Sequence, residues 1–202
     1  MIKALIFDLG NVLVPFDFQR AYDRLTPLCR FPLDEIRERL RSSGLVHRFE
    51  TGQVAPKDFV AEFGRTLEIQ TTYDEFCDLW SSIFLSETLI PEAWIESFAR
   101  SYTLVLLSNT NAIHFEMIRD NYPLLRHFRH LVLSHEVGAK KPDARIYREA
   151  IAKAGCAPGE CFFADDILLN VEGAREQGMD AIQFISAEQL AHELRARGVT
   201  DF

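Results

Sequence analysis

Positive charge is in short supply. Against 30 acidic residues the chain carries 22 Lys and Arg, a formal net charge of −8 over 202 residues. A general nucleic-acid binder needs a basic face, so this balance argues against that class of partner. It says nothing against a small anion, because a pocket can be positive on an acidic protein. Cysteine is also scarce. Cys29, Cys77, Cys156 and Cys161 form no C-x-x-C pair and no zinc spacing, so reduced thiols are expected rather than a disulfide framework. No apolar run approaches the roughly 18 residues of a membrane span. The start shows no charged leader followed by an apolar stretch and a cleavage site. The expectation is a cytoplasmic protein without membrane partners. No internal repeat or low-complexity tract is visible. What is present is a 48% hydrophobic content, ordinary for a globular chain and enough for a sizeable core.

The first residues are nearly all apolar and strand-forming. They run into Asp8, then Gly10. Such a run bounded by a turn signal reads as a buried strand of a parallel sheet. Ligands of open parallel sheets bind at the carboxyl ends of the strands, where Asp8 would lie. Taken alone, Asp8 reads better as a turn cap. Three later apolar runs change the balance. The run at 102–107 ends in Ser108 and Asn109. The run at 131–133 is followed by Lys140 and Lys141. The run at 161–164 ends in Asp165 and Asp166, and a further run follows at 181–184. Helical patterns separate them, so βαβ units and a parallel sheet are expected. Right-handed crossovers put every strand's carboxyl end on one edge. Asp8, Ser108, the lysine pair and Asp165–Asp166 should therefore meet.

Residues 16–89 differ. Apolar positions recur at helical spacing, as in Phe59, Val60, Phe63 and Leu67, or Phe76, Leu79, Trp80 and Phe84. Helix starts are expected at Pro32 and Pro56. The reading is an inserted all-helical unit of four helices, with residues 1–15 and 90–202 forming the α/β core. The aromatic stripe reads as core. His47, Arg48, Glu50 and Trp80 are candidate ligand contacts, each also readable as surface or core.

The converging set has a chemical logic. A carboxylate can take up a phosphoryl group. Asp8, Asp166 and a backbone carbonyl make an all-oxygen site suited to Mg²⁺, which keeps waters and a substrate phosphate oxygen among its ligands. Ser108 and the following amides sit at a helix N-terminus, a natural phosphate site. A lysine supplies a point charge for phosphoryl oxygens. Singly, a serine after a strand reads as a cap and K-K-P as a solvated turn; four such items in order are far more specific.

These motifs are F-D-L-G-N-V at 7–12, L-S-N-T at 107–110, K-P-D-A-R-I-Y at 141–147 and F-F-A-D-D at 162–166, continuing to Ala174. By them the chain resembles the haloacid dehalogenase-like (HAD) superfamily of hydrolases over essentially its whole length. Within it, the likeness is to sugar-phosphate phosphatases of the alpha-D-glucose-1-phosphate phosphatase type, which share D-L-G-N-V. The phosphatase domain of soluble epoxide hydrolases is a more distant likeness. The resemblance implies a Rossmann-like core with a helical cap and a Mg²⁺-dependent phosphatase of a small phosphorylated metabolite. Asp8 would be nucleophile and metal ligand, and Gly10 would offer its carbonyl to the metal. Ser108, Asn109 and Lys141 would hold phosphate. Asp166 would bind metal, with Asp165 and Asn170 supporting it from behind.

Position 10 departs from the pattern. Most phosphatases of this superfamily carry a second aspartate there as general acid and base, help worth roughly 10²–10⁴-fold. Gly10 has no side chain. The alternatives are a weakly active or regulatory protein of the same fold and, less favoured because Asp166 is retained, a dehalogenase.

Overall fold

The structure is a computed structural model that describes residues 1–200 and 202. Its centre is β1 (Ala4–Phe7), whose four residues are all buried. The chain then leaves the sheet and builds α1 (Phe18–Leu25), α2 (Leu33–Ser43), α3 (Leu45–Glu50), α4 (Pro56–Leu67) and α5 (Tyr73–Ser81). It returns through α6 (Glu92–Ser101) to β2 (Thr103–Ser108), α7 (Ala112–Asn121), β3 (His130–Leu133) and the single turn α8 (Ser134–Val137). α9 (Ala144–Ala154), β4 (Cys161–Asp165), α10 (Leu168–Glu176), β5 (Asp180–Gln183) and α11 (Ala187–Ala196) complete it. The five strands pair in parallel in the order β3-β2-β1-β4-β5.

Both faces of the central strands are buried, which is why they read as unbroken apolar runs rather than alternating ones. Leu5, Phe7, Leu104, Leu106, Phe162 and Ala164 point into one cluster, closed by Ile95 and Phe98 of α6 and Leu190 and Leu194 of α11. Their neighbours Ala4, Ile6, Val105, Leu107 and Phe163 point the other way, onto Ile146, Tyr147 and Ala150 of α9 and Val171 and Ala174 of α10. The alternation is the period-two pleat of a strand. Phe7 pairs with Leu106 and with Ala164, so one step further brings Asp8 level with Leu107 and Asp165.

Helices α1 to α5 build a third cluster around Phe49, Phe59, Phe63 and Phe76, which Ile113 of α7 joins. Phe49 and Phe59 stack with ring centroids 4.0 Å apart. There are five α-helices here rather than four. The extra one begins where Asp17 caps Gln19 N through its side chain, an N-cap signal, and the two at 33–50 are parted only by Gly44 in the left-handed region, φ 62°. Two short connectors join this helical unit to the sheet. They pair with each other: Phe16 bridges Phe84, Asp17 N donates to Ile83 O at 2.8 Å, and Leu85 N donates to Pro15 O at 3.0 Å.

A second contact lies at the far end of the unit. Glu50, last residue of α3, accepts a hydrogen bond from Lys140 of the sheet domain at 2.6 Å. Gly52 follows at φ +70°, and a Cβ placed on it would lie 2.1 Å from the carbonyl oxygen of His135. Only glycine permits so close a backbone approach. Gly52→Ala should therefore push α3 away from α8 and cost at least about 1–2 kcal/mol from the left-handed strain alone. Urea unfolding of the two proteins checks this, and an unchanged midpoint would mean that the contact at Gly52 is absent in solution.

Candidate active site

Asp8 continues β1 by donating its N–H to Ala164 O at 3.0 Å. The backbone then folds back at once. Leu13 N and Val14 N both donate to Leu9 O, and Asn11 N donates to Val14 O, each at 2.9 Å. Asn11 takes the left-handed region, φ 52°, which asparagine tolerates better than most residues. Its Oδ1 accepts from Phe16 N at 3.3 Å, and its Nδ2 donates to Asp166 Oδ2 at 3.4 Å. The turn thus aims Asp8 upward and ties the first strand's end to the fourth's.

Lys141 is the hub. Its ammonium lies 2.7 Å from Asp8 Oδ1 and 2.6 Å from Asp165 Oδ2, and it also donates to Leu107 O at 3.1 Å. Its side chain is 1% exposed, so all three partners are needed to satisfy its three protons. Both ends of the Asn109 amide hold the lysine's backbone: Lys141 N donates to Oδ1 at 2.7 Å and Nδ2 donates to Lys141 O at 3.1 Å. Lys140 points elsewhere, to Glu50. Adjacent residues of extended chain face opposite ways, which separates the pair.

Asp165 is fully buried. Besides Lys141 it accepts from Asn170 Nδ2 at 3.0 and 3.2 Å and from Ile167 N at 2.9 Å. Asp166, one residue on, is only partly buried. One oxygen each from Asp8, Asp165 and Asp166 falls within 4.8 Å of the others. Three carboxylates this close repel one another unless cations sit among them. Burial, first of all, pushes the Asp8 carboxyl up to about 7, and Asp165 adds to this while Lys141 opposes it. Burial and Asp165 also raise Asp166. Burial lowers Lys141, but Asp8 and Asp165 outweigh it and the lysine ends above its ordinary value, fully charged.

The family can now be placed. The haloacid dehalogenase-like hydrolase profile matches residues 2–178. The chain belongs to the haloacid dehalogenase-like hydrolases. It is 28% identical over 189 residues to a D-ribitol-5-phosphate phosphatase of Bacteroides thetaiotaomicron, covering 91% of this chain and 92% of that one. It is 32% identical over 189 residues to a phosphatase of Mycobacterium tuberculosis, covering 89% and 86%. Among solved structures, a HAD family enzyme of Bacteroides thetaiotaomicron in complex with magnesium and inorganic phosphate superposes with a TM-score of 0.85 at 26% identity, covering 96% of this chain and all of that one.

In this haloacid dehalogenase-like chain a cavity of about 140 Å³ opens above the strand ends, between sheet and helical unit. Ser108, Asn109, Thr110, Leu9 and Gly10 line it from below, and Glu50, Trp80 and several apolar side chains from above. Ser108 is buried. Ser134 steadies the loop beneath it, accepting from Thr110 N at 2.9 Å and donating to Thr110 O at 2.8 Å. Of the four candidate contacts from the helical unit, Glu50 and Trp80 reach the cavity. His47 is exposed and Arg48 pairs with Glu62, so neither lines it. Sequence reasoning gave no role to Asn11, Thr110, Ser134 or His114. The Gly10–Asn11 pair carries a turn signal that points to Asn11. Ser134 and His114 become visible only through the spatial neighbours the fold supplies.

His114 lies in the first turn of α7 and under Trp80, rings 5.3 Å apart and nearly parallel. Its Nδ1 is 3.2 Å from Asn111 Nδ2 and its Nε2 3.0 Å from Trp80 O. These partners suit one neutral tautomer, with Nε2 donating and Nδ1 accepting. Burial brings its pKa down to about 4. The unfolded chain, with an ordinary histidine near 6.5, binds the extra proton first as pH falls. His114 thus supports the fold fully above about pH 6.5 and loses that support as pH drops toward 4. The slope is worth roughly 3 kcal/mol at most. His114→Gln should flatten the fall of unfolding free energy between pH 6.5 and 4.5, measured by urea titration at each pH; an unchanged slope would show that His114 already carries a proton in the folded state.

Proposed function

We propose that this chain is a Mg²⁺-dependent phosphatase of small phosphorylated metabolites, sugar phosphates among them, and that it works by transferring the phosphoryl group to Asp8. The observation that carries the reading is Lys141 lodged between Asp8 and Asp165 beside a partly buried Asp166. The phosphatase relatives and the magnesium- and phosphate-bound neighbour support it.

The contacts of Asp8 with Lys141 and Leu9 N both fall on Oδ1, which fixes the carboxylate's rotation and leaves Oδ2 to attack phosphorus in line with the leaving oxygen. The P–O bond to the leaving group breaks as the Asp8–phosphoryl bond forms. Water then attacks the phosphorus and regenerates the carboxylate. Lys141 holds positive charge beside the transferred oxygens. Ser108, at the approach to the α7 N-terminus, holds the phosphoryl oxygens where the helix favours an anion; the Thr110 N–H is committed to Ser134 Oγ. The donor set fits Mg²⁺: Asp8, Asp166 and the Gly10 carbonyl would hold it, because Asp165 is already committed to Lys141, Asn170 and Ile167 N. When bound, the ion offsets the repulsion between Asp8 and the incoming anion. The helical unit 16–89 serves as the cap over the substrate.

Phosphate release from an aryl phosphate, with Mg²⁺ and with EDTA, tests the reading. Asp8→Asn should lose at least about a thousandfold in kcat while remaining folded; near-normal turnover by a folded variant would end the proposal. Asp166→Ala should raise the Mg²⁺ needed for half-maximal rate by about tenfold or more, and by more than Asp165→Ala does; indistinguishable Mg²⁺ titrations would mean that Asp166 is not a ligand. Lys141→Ala should cost far more than Lys140→Ala, whose charge meets Glu50 rather than the reacting atoms.

A further inference from the structure

The wall of the cavity opposite Leu9, Gly10 and Ser108 is mostly apolar. Above the strand ends the lining comprises Phe16, Phe18, Val46, Trp80, Ile83 and Phe84. Phe16 meets Phe18 with ring centroids 5.0 Å apart and Phe84 at 6.1 Å, both edge to face. Phe84 meets the edge of His114 at 5.0 Å. A second cavity of about 240 Å³ shares Phe18, Val46, Trp80, Ile83 and His114 with the first and adds aliphatic side chains together with Tyr22 and Phe63. Most polar groups on this upper side are already used, the exception being the buried Nε1 of Trp80, which has no partner among the described residues. Glu50 accepts from Lys140, and both His114 nitrogens have partners. Ser108, Asn109 and Thr110 lie on the phosphate side.

Phe16 has a second effect. A Cβ placed on Gly10 would lie 2.6 Å from Phe16 Cε1 and 3.1 Å from its Cδ1. The ring therefore fills the room that a side chain at position 10 would need. The missing acid and the aromatic wall are one feature, since the ring and a carboxylic acid compete for the same space.

We infer that the site selects phosphate monoesters whose leaving group is a flat apolar body bearing an acidic oxygen, an aryl or enol phosphate, and that Phe16 is the specificity-determining residue. This rests on the proposed phosphatase reading. A polyhydroxylated leaving group entering here would leave hydroxyls without partners, at roughly tenfold or more in affinity for each. A flat aromatic body would instead stack on the ring faces and edges. It also leaves as a stable anion, so the absence of a general acid matters least for it.

The experiment compares kcat/KM, with saturating Mg²⁺, for 1-naphthyl phosphate, phenyl phosphate, benzyl phosphate and glucose 1-phosphate. The wild type should favour the two aryl esters over glucose 1-phosphate by at least tenfold, and phenyl over benzyl phosphate by a similar factor. Equal or faster turnover of glucose 1-phosphate would overturn the inference while leaving the phosphatase reading intact. Release of phosphate from none of the four would overturn the phosphatase reading instead. In that event calorimetric binding of 1-naphthyl phosphate and glucose 1-phosphate to the wild type decides the selectivity, tighter naphthyl binding upholding it and equal binding refuting it. Gly10→Asp alone should lower activity, because the new side chain collides with the ring. Gly10→Asp combined with Phe16→Ala should shrink the phenyl-to-benzyl ratio toward one. A ratio unchanged in a double variant with wild-type circular dichroism would contradict the shared-space argument; if that variant fails to fold, the wild-type comparison of the four esters stands as the test.

Discussion

A single buried ammonium organises this molecule. Lys141 arrives from the loop after β3 and α8, and its charge is shared by Asp8 at the end of β1, Asp165 at the end of β4 and a carbonyl at the end of β2. A lone charge in such a place would be prohibitively costly, and so would two unpaired carboxylates. Together they fix the tips of three strands relative to one another. The contacts of Asp8 with Lys141 and with Leu9 N both fall on one oxygen, Oδ1.

The rest of the site follows from this constraint. Asn109 clamps the lysine's backbone, Asn170 and Ile167 N hold Asp165, and Asn11 reaches across to Asp166. Asp165 and Asp166 are neighbours in sequence but differ in what surrounds them. Full burial and four hydrogen bonds commit one to structure, and partial exposure with one long contact leaves the other with lone pairs to give. The helical unit is tied on by the paired connectors at Phe16 and Phe84, by Glu50 on Lys140 and by Trp80 on His114. The space between is lined by its own aromatic side chains.

Much of this was legible in the residues. Unbroken apolar runs in β1, β2 and β4 identified a doubly covered parallel sheet, and its topology made the gathering of Asp8, Ser108, Lys141 and Asp165 a geometric necessity. What could not be read was anything that depends on contact across the chain. Asn109, expected to face phosphate, spends both ends of its amide on Lys141. His47 and Arg48 lie three and two residues before Glu50 on one short helix, and only its rotation decides that Glu50 alone of the three lines the cavity. Phe16 looked like an ordinary connector residue. Its proximity to Gly10 is set by the sharp turn at 9–14, and the Gly10–Asn11 turn signal does not say which ring that turn brings close.

The central claim is that Asp8 carries the phosphoryl group covalently. Rapid acid quench of the Mg²⁺-loaded wild-type protein during turnover of 1-naphthyl phosphate, followed by peptide mapping, tests it most directly. The account predicts the mass of one phosphoryl group on the peptide containing Asp8, appearing before free phosphate reaches its steady rate and absent from Asp8→Asn. Turnover with no phosphoryl group on that peptide at any quench time, or with the label on another residue, would contradict it.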